Sequence, residues 1–446
     1  MLLTDLLSRP PPLTRFGWVD NAGLTRAKAV TPRGLPGALK YGFGMTVGQQ
    51  ALPMMVDAAI QGTGLGAVGE VRLRPDLDAA ATLPFTDGQV LLPCDMYTLA
   101  GEPWSHCPRS FLKRQLNALA ALGFALRASF ENEFYLFRPD GAGGWLPLDE
   151  AVYATLDAYD AAGPFLGEAL SALSSAGLEP ESYYPESGPG QQEIAIAPAI
   201  GLAAADRQVL FKALIKSVAR RQGLRASFCA KPVGTGAGSG CHLHLSLVRS
   251  GENAFYDPAA SLGLSALASH AIGGLLDHAA GLCALTVPSV NSYRRLQPGA
   301  WAGAYACYGL DHREASIRVL SGHLLPGAGG ASAHFELKSV DGSCNPYLAL
   351  GGAVAAMLDG IERQVSPGPA LIGAPGEVIQ IPDHPERITL LPTSLPQAAD
   401  ALEADAVLGA ALGDDLRRSF LAVRRFEAAY FAEHPELELA AHRFVY

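Results

Sequence analysis

Three short stretches of this sequence place charged or imidazole side chains two residues apart within otherwise apolar runs. They are Phe130-Glu-Asn-Glu-Phe-Tyr-Leu-Phe, Gly240-Cys-His-Leu-His-Leu-Ser-Leu and His334-Phe-Glu-Leu-Lys. Residues i and i+2 of a β-strand point to the same face of its sheet. Each stretch therefore predicts a strand with one buried apolar face. The opposite faces would carry Glu131 with Glu133, His242 with His244, and His334 with Glu336 and Lys338.

Carboxylates that project together from one strand face repel one another unless a cation lies between them. Two further acids follow, Glu186 in a Gly- and Pro-rich loop and Glu193 at the start of another alternating run. The sequence offers too few cations nearby to neutralise them all. Hard oxygen ligands with one imidazole suit Mg²⁺ or Mn²⁺. A solvated edge face is the alternative for any single pair, but four such segments favour a shared metal site.

Arginines follow later, in Asn291-Ser-Tyr-Arg-Arg-Leu and in Asp311-His-Arg-Glu-Ala-Ser-Ile-Arg. The planar guanidinium suits carboxylate and phosphate oxygens, although surface arginines also serve solubility. Arg318 stands in an otherwise apolar run, which predicts an anionic partner for it. Metal ions beside arginines meet the needs of phosphoryl transfer from ATP, because both neutralise phosphate charge.

Composition narrows the class of protein. With 446 residues, 49% hydrophobic and 17% charged, the chain can form two or three packed units, which excludes disorder and a coiled coil. The net charge of −10 predicts no nucleic-acid partner. We expect no membrane partner and a cytoplasmic location, because no apolar run could cross a bilayer and the start does not resemble a leader. Seven scattered cysteines without a C-x-x-C pair favour reduced thiols.

The chain divides into two predicted domains, residues 1–105 and 106–446. Residues 15–30 predict a β-hairpin around Gly23, and strands are expected at 69–73 and 89–96, so the first domain is small and rich in strands. A helix capped by Ser110 and stopped at Gly123 opens the larger domain. Strand-like runs then alternate with helices to the end of the chain, where helices are predicted over 398–412 and 416–432. The predicted fold class is therefore α+β. The glycine-rich run 234–240 precedes a strand and lacks the Lys-Ser/Thr ending of a P-loop.

An ordered set of short motifs runs through most of the chain. The motifs are Val19-Asp-Asn-Ala-Gly-Leu-Thr-Arg-Ala-Lys, Cys94-Asp-Met-Tyr with Pro108-Arg109, Glu131-Asn-Glu, Glu186-Ser-Gly-Pro-Gly-Gln-Gln-Glu193, Ala226-Ser-Phe-Cys-Ala-Lys-Pro, Gly238-Ser-Gly-Cys-His-Leu-His-Leu-Ser, Asn291-Ser-Tyr-Arg-Arg and Asp341-Gly-Ser-Cys-Asn-Pro-Tyr-Leu-Ala-Leu. Each motif alone is weak, but the ordered set is specific. With these motifs the chain resembles the glutamine synthetase family.

This resemblance implies a β-grasp-like N-terminal domain followed by a large catalytic α+β domain that binds ATP and metal ions. It also implies a ring-shaped homo-oligomer, such as a dodecamer, with active sites between neighbouring subunits. The expected partners are small-molecule substrates: ATP as co-substrate, a glutamate-like acid and an amine. In the family reaction the acid attacks the γ-phosphate to give an acyl phosphate, and the amine then displaces phosphate.

The resemblance also implies roles for individual residues. One ion, Mg²⁺ or Mn²⁺, would be held by Glu186, Glu193 and one member of the Glu131/Glu133 pair. The second ion would take the other member of that pair, together with His242 and Glu336. Ser246 and Arg318 would contact ATP, and Arg313 the transferred phosphate. Arg295 would bind the carboxylate of an amino-acid substrate, and Arg295 and Arg313 would be the catalytic residues.

Departures from the family pattern affect the two substrates. Trp301 stands where the family has the flap glutamate that handles ammonium, and Gly44 stands where it has a second acid. An aromatic and a glycine at these positions suit a bulkier, partly apolar amine, which resembles the γ-glutamyl-amine ligase branch of the family. At the expected site for the acid substrate, Lys338 stands where the family has an arginine. The positive charge is kept, but the paired hydrogen bonds of a guanidinium are lost. Ala237 replaces an asparagine next to Gly238, at the turn expected to border the acid.

Three functional hypotheses follow from these residues. The leading one is an ATP-dependent carboxylate–amine ligase that uses glutamate or a related acid and an amine other than ammonia. The second is an ammonia-using glutamine synthetase whose ammonium site is built from other residues. The third is a catalytically silent relative with a structural or regulatory role. Against the third, the metal ligands and Arg313 are retained, although buried charge is costly.

Overall fold

The computed structural model describes residues 3–380 and 388–446, so Met1 and Leu2, at the start that does not resemble a leader, lie outside the described residues. The predicted α+β fold is confirmed, because a small N-terminal sheet precedes a larger sheet that packs against helices. The N-terminal elements are α1 (Leu3–Ser8), β1 (Thr14–Val19), β2 (Thr25–Val30), α2 (Leu35–Tyr41), β3 (Phe43–Thr46), β4 (Glu70–Pro75), β5 (Ala81–Thr82) and β6 (Val90–Tyr97). Their strands are ordered β2-β1-β6-β4-β3, with β5 paired to β6.

The predicted hairpin is confirmed. β1 and β2 pair antiparallel, from Thr14 opposite Val30 to Val19 opposite Thr25. Gly23 closes the turn with φ +79°, and a Cβ there would lie 2.3 Å from the carbonyl oxygen of Ser343. Only glycine meets both requirements without strain. The turn therefore packs against the second domain, beside residues 341–345.

The second part of the chain contains a long sheet and most of the helices. Its first elements are α3 (Pro108–Ala121), β7 (Ala125–Pro139), β8 (Trp145–Pro147), α4 (Leu156–Ser175), β9 (Pro180–Pro185), β10 (Gln191–Ile196), β11 (Ala199–Ile200), α5 (Leu202–Arg221), β12 (Arg225–Ser227), β13 (Cys241–Arg249), β14 (Glu252–Asn253), α6 (Ala266–Asp277), α7 (Ala279–Thr286) and α8 (Ser292–Arg295). The later elements are β15 (Tyr305–Leu310), β16 (Ala315–Val319), β17 (Phe335–Leu337), α9 (Pro346–Arg363), α10 (Pro375–Val378), β18 (Thr389–Leu390), α11 (Leu395–Ala404), α12 (Ala406–Leu412), α13 (Asp414–Glu433) and α14 (Pro435–Arg443).

The long strand β7 lies inside this sheet and aligns its neighbours. The strand order is β18-β15-β16-β17-β13-β7-β10-β9, and β8, β11 and β12 also pair with β7. Along the first half of β7, alternate residues are buried, which matches the predicted alternation. Phe130 joins Leu243 and Phe335 of the neighbouring strands in the main hydrophobic core, beside residues of α3, α6 and α9. Burial of this apolar face fixes which face carries the polar pairs.

Two predicted helix boundaries are wrong. The helix expected to be capped by Ser110 begins at Pro108, and its cap is Cys107, whose Sγ accepts from the Ser110 amide. Proline is favoured in the first helical position because its φ is already helical, so the helix starts before the serine. The helix expected over 398–412 is two helices, because the Asp405 carboxylate accepts from the Leu408 amide and starts α12 anew.

The predicted division between residues 105 and 106 falls between β6 and α3 and stays a prediction. The strands expected at 69–73 and 89–96 are present as β4 and β6, and the helix expected over 416–432 is present as α13. Among the described residues, no helix is both long and apolar enough to cross a membrane.

A buried histidine joins three helical segments of the second domain. His278, between α6 and α7, contacts Asp405 through Nδ1 at 2.7 Å and Asp359 of α9 through Nε2 at 3.0 Å. Burial opposes the charged imidazole, but the two carboxylates outweigh it and raise the pKa of His278. A charged imidazole between two carboxylates stabilises this packing.

We expect His278→Asn to lower the free energy of unfolding by about 1–3 kcal/mol near pH 6, where hydrogen bonds to the charged ring are lost. Because the folded-state pKa is raised, this contribution is fully present below the unfolded pKa of about 6.5 and is lost as pH rises through the folded value. The difference between wild type and variant, measured by urea denaturation, should therefore shrink above about pH 6.5. His434→Asn, at an exposed ring, is the control. A difference that does not change with pH would contradict the assignment.

Candidate active site

Strand register brings the predicted polar pairs together in the large sheet. Glu133 of β7 lies opposite Glu193 of β10, and Glu131 lies opposite His242 of β13. On the far side of β13, His244 lies opposite Glu336 of β17. Directly opposed residues in antiparallel strands have Cβ atoms about 5 Å apart, so these side chains form one continuous polar row.

The first cluster in this row is acidic. Carboxylate oxygens of Glu133, Glu186 and Glu193 lie within 4.8 Å of one another. Burial and the charges of Glu131 and Glu133 raise the pKa of Glu193 to about 10. Burial and Glu133 also raise the pKa of Glu186. Like charges in a buried site cannot all be ionised without a cation, so the cluster retains protons when it is alone.

The second cluster combines carboxylates and imidazoles. Atoms of Glu131, His244 and Glu336 lie within 4.8 Å of one another. His242 lies among them, with Nδ1 at 2.9 Å from Glu336 and 3.2 Å from Glu131. Burial and Lys338 oppose the charged form of His242, but Glu336 and Glu131 outweigh them and raise its pKa. Despite burial, the two imidazoles hold the pKa of Glu131 well below its usual range.

These two clusters fit divalent metal ions by the chemistry of their donors. Oxygen ligands from Glu133, Glu186 and Glu193, and a mixed set with imidazole nitrogen, are donor sets suited to Mg²⁺ or Mn²⁺. One oxygen of Glu193, Oε1, is buried and has no hydrogen-bond partner among the described residues. Such an orphaned oxygen is costly unless a ligand reaches it. The structure groups Glu133 with Glu186 and Glu193, and it groups Glu131 with His242 and Glu336, so the pairing of these acids with two ions stays a prediction.

Two cationic side chains balance the negative charge of Glu336, at one end of the polar row. Arg318 donates to Glu336 at 3.1 Å, and Lys338 Nζ lies 3.3 Å from the other oxygen of Glu336. Although burial opposes it, His242 and Lys338 lower the pKa of Glu336. Glu336 thus has cationic partners, because strand pairing brings β16 beside β17, and the expectation of too few cations to neutralise all the acids together stays a prediction. The predicted anionic partner of Arg318 is confirmed, and its buried Nε has no partner within the described parts of the chain.

Arg295 packs beneath His242. Its guanidinium donates to the carbonyl oxygens of Val340 and Lys338, at 3.2 Å each, and lies 3.1 Å from His242 Nε2. A Cβ on Gly238 would lie 2.6 Å from Arg295 Cγ, so only glycine lets the turn cover this arginine. Arg295 is buried at 5% exposure, and these contacts hold it at the floor of the cleft.

Trp301 and Arg313 lie at the mouth of the cleft. Glu314 accepts from the amides of Trp301, at 2.7 Å, and Gly299, at 3.1 Å, so one carboxylate holds the loop that carries the tryptophan. Trp301 has a positive φ of 53° and its side chain is 65% exposed. Arg313 is also exposed and lines the same cleft.

The cleft encloses about 530 Å³ and reaches both clusters. Of the predicted site residues, it is lined by Glu131, Glu133, Glu186, Glu193, Gly238, His242, Arg295, Trp301, Arg313, Arg318, Glu336 and Lys338. Ser246 lies elsewhere, in an adjoining cavity of about 360 Å³ that it shares with Glu131, His244 and His334. The two cavities meet at the Glu131 and His244 side chains, which line both.

Comparison with known proteins identifies this arrangement. Residues 105–440 match the sequence pattern of "Glutamine synthetase, catalytic domain". The chain belongs to the glutamine synthetase family. It is 39% identical to the glutamine synthetase of Thermus thermophilus over 383 residues, which are 84% of each chain. It is 36% identical to the "Gamma-glutamylpolyamine synthetase GlnA3" of Streptomyces coelicolor over 422 residues, 93% of this chain and 89% of that protein.

Solved structures give the same family fold. A crystal structure of a "novel glutamine synthase homolog" superposes with a TM-score of 0.82 at 35% identity, covering 95% of this chain and 96% of the other. A structure described as "Apo GmaS without ligand" superposes with a TM-score of 0.84 at 31% identity, covering 97% and 96%. The glutamine synthetase family fold, with a small N-terminal sheet domain, is therefore confirmed for this chain.

Sequence reasoning missed three residues of this site. The i, i+2 pattern puts His244 on the correct strand face but assigns it no role, although His244 faces Glu336 and contacts Glu131. Glu314 follows Arg313 directly, yet its contact with the 299–301 loop depends on folding. Tyr184 lies opposite Glu193 and lines the cleft. For His244 the i, i+2 pattern was a sufficient signal, whereas the other two had none.

We expect binding of Mg²⁺ or Mn²⁺ at pH 7 to release a proton from Glu193, because its raised pKa keeps it protonated until a cation arrives. Calorimetric titration with Mn²⁺ in buffers of different ionisation enthalpy measures this proton release. Glu193→Gln should reduce both the proton release and the Mn²⁺ affinity, the latter by about tenfold or more. Without metal, the variant should melt no lower than wild type, because glutamine resembles the protonated acid. Glu150→Gln, at an exposed acid, is the control, and equal proton release by wild type and Glu193→Gln would contradict the assignment.

Proposed function

We propose that this glutamine synthetase family ligase joins the side-chain carboxylate of glutamate, or of a related acid, to an amine other than ammonia, with hydrolysis of ATP. The observation that carries the proposal is Trp301. This bulky, apolar side chain lies at the cleft mouth where the family has an acid that binds ammonium. An indole offers contact area to an alkyl or aryl amine but has no negative charge for a small cation.

One relative favours the same proposal. A γ-glutamylpolyamine synthetase matches across most of both chains. Glutamine synthetases match as well, at similar identity, so the choice of amine rests on the residues of the cleft. The proposed class is therefore a γ-glutamyl-amine ligase, and an ammonia-using enzyme is the alternative that the screen below distinguishes.

We assign the nucleotide to the cavity of Ser246, whose lining also includes His244 and His334. From there the γ-phosphate would reach the clusters, because the two cavities share Glu131 and His244. Arg318 has a buried Nε available for an anion, and Arg313, which is exposed at the cleft mouth, would contact the transferred phosphate. Divalent ions at the two clusters would supply charge neutralisation for the phosphate oxygens.

The acid substrate would lie on the opposite side, near Gly238, Arg295 and Lys338. Since Arg295 already donates to two carbonyl oxygens and contacts His242, it positions that histidine as well as contributing positive charge. Lys338 contacts Glu336, so its ammonium adds charge rather than a two-pronged hydrogen bond. A tolerant, charge-based site of this kind suits glutamate or a close relative.

The proposed reaction proceeds in two displacements. A carboxylate oxygen of the acid attacks the γ-phosphorus of ATP, the bond to the bridging oxygen breaks, and ADP leaves. Arg313 and Arg318 stabilise the charge that spreads over the transferred phosphoryl group. The amine nitrogen then attacks the acyl carbon, phosphate leaves, and the nitrogen gives up a proton to form the amide.

We further propose that the chain works as a ring-shaped oligomer in which a neighbouring N-terminal domain completes the cleft. Gly44, where the family has a second acid, lies in β3, and a Cβ there would lie 2.9 Å from the carboxylate of Glu70. Glu70 itself pairs with Arg72 at 2.8 Å. The space left by the missing side chain is thus covered by a carboxylate that already has a cationic partner.

Phosphate release in the presence of glutamate and Mg-ATP should depend on an organic amine. We expect a panel of alkylamines, diamines, polyamines and arylamines to include one with kcat/KM at least about a hundredfold above that of ammonium, because the ammonium-binding acids are absent. Mass spectrometry of the product should find the γ-glutamyl amide. Efficient glutamine formation from ammonium would favour the alternative, and failure of every amine while Mg-ATP does not bind would indicate a silent relative.

Trp301→Ala should raise KM for the preferred amine by about tenfold, since an aromatic contact contributes about 1.5 kcal/mol. The KM values for ATP and for the acid should change little, and Trp301→Phe should restore most of the affinity. Phe426→Ala is the control, because Phe426 is a partly exposed aromatic residue of α13 that lies outside both the cleft and the N-terminal domain. A Trp301→Ala enzyme with unchanged amine KM would remove the main argument for this substrate class.

A further inference from the structure

A third cavity, separate from the cleft and from the cavity of Ser246, lies between the N-terminal hairpin and α5 and is lined by cations. It encloses about 630 Å³. Its charged lining residues are Arg15 and Arg26 from the hairpin and Lys212, Lys216 and Arg220 from α5. None of the lining side chains that the structure describes is acidic. We call this space the basic cavity.

The three cations of α5 repeat every fourth residue. Lys212, Lys216 and Arg220 therefore lie along one face of the helix, where like charges four residues apart destabilise it. Arg220 lies in the last turn, where the helix dipole favours a cation. The dipole does not account for the two lysines, which lie farther from the helix end.

Neutral groups are the hydrogen-bond partners of both lysine ammoniums. Lys212 Nζ donates to the carbonyl oxygen of Gly342, and Lys216 Nζ donates to that of Val445 at 2.8 Å. Burial, then the charges of Lys212 and Arg220, lower the pKa of Lys216 to about 7. Both lysines are partly buried, and an ammonium without a negative partner is unfavourable there, so neither lysine has a compensating charge within the described chain.

The hairpin adds to this imbalance on the facing wall. Arg26 is balanced, because it pairs with the buried carboxylate of Asp20. Arg15 instead donates through Nε and Nη2 to the neutral side-chain oxygen of Gln89, at 3.0 and 2.6 Å. Arg15, Lys216 and Arg220 thus face one space with no negative partner described for them. This occurs in a protein whose net charge is −10.

We propose that the basic cavity binds a small multivalent oxyanion, with phosphate or carboxylate groups, held by Arg15, Lys216 and Arg220. Guanidinium groups suit such oxygens through paired hydrogen bonds, and an ammonium adds a point charge. The ligand would bridge the hairpin and α5, and so join the two domains. The site is separate from the cleft and does not depend on the proposed reaction.

The test is calorimetric titration of the full-length protein, without divalent ions, at about 150 mM salt, where weak surface attraction is screened. Pyrophosphate and citrate are the probes, and acetate is the monovalent comparison. We expect at least one of the two probes to bind and to raise the melting temperature, while acetate does neither. Tighter binding of pyrophosphate supports a phosphorylated ligand, and tighter binding of citrate supports a polycarboxylate.

Variants locate the binding. Lys216→Gln and Arg220→Gln should each lower the affinity for the probe by about tenfold. Both substitutions remove excess positive charge, so neither should impair folding. Arg221→Gln changes a neighbouring cation that pairs with Glu168 outside the cavity, and should bind like wild type. Arg313→Gln should also bind like wild type, which excludes the cleft as the binding place. The proposal would be overturned if neither pyrophosphate nor citrate bound. It would also be overturned if binding were unchanged in the double variant that combines Lys216→Gln and Arg220→Gln.

Discussion

The register of β7 against its neighbours is the constraint on which the site depends. Because β10 and β13 pair with opposite edges of β7 in fixed alignment, and β17 pairs with β13, Glu133, Glu131 and His242 are brought within a few ångströms. A shift of one residue in any pairing would turn these side chains into the core and the phenylalanines into the cleft. The apolar face is therefore what holds the charged face in place.

The two halves of the polar row differ in how their charge is balanced. Near Glu336, a lysine, an arginine and a histidine supply positive charge within the chain. At Glu133, Glu186 and Glu193, carboxylates face carboxylates, and burial together with these like charges raises the pKa of Glu186 and of Glu193. We expect the protonation of the acidic cluster to change if divalent ions bind there, because carboxylate ligands bind metal in their deprotonated form.

Much of the site was readable from local pattern. The i, i+2 spacing of Glu131 with Glu133 and the position of Arg318 in an apolar run both pointed to groups that the fold does bring together. The predictions that were wrong concern helix boundaries. The helix expected to start at Ser110 starts at Pro108, and the helix expected over 398–412 is two helices that meet at Asp405. The contacts of Glu314 with Trp301 and Gly299 join segments that show no shared signal in sequence.

The sequence by itself determined the alternating strands, the hairpin at Gly23, the family and the kind of donor atoms available, because these follow from periodicity, single-residue conformational limits and ordered motifs. Only the tertiary structure decided which donors share a cluster, that Ser246 lies in a separate cavity, and that five cations face each other across two domains. The physical reason is that such groupings arise from strand register and domain packing. Both are set by burial of apolar surface over the whole chain, and no local segment carries that information.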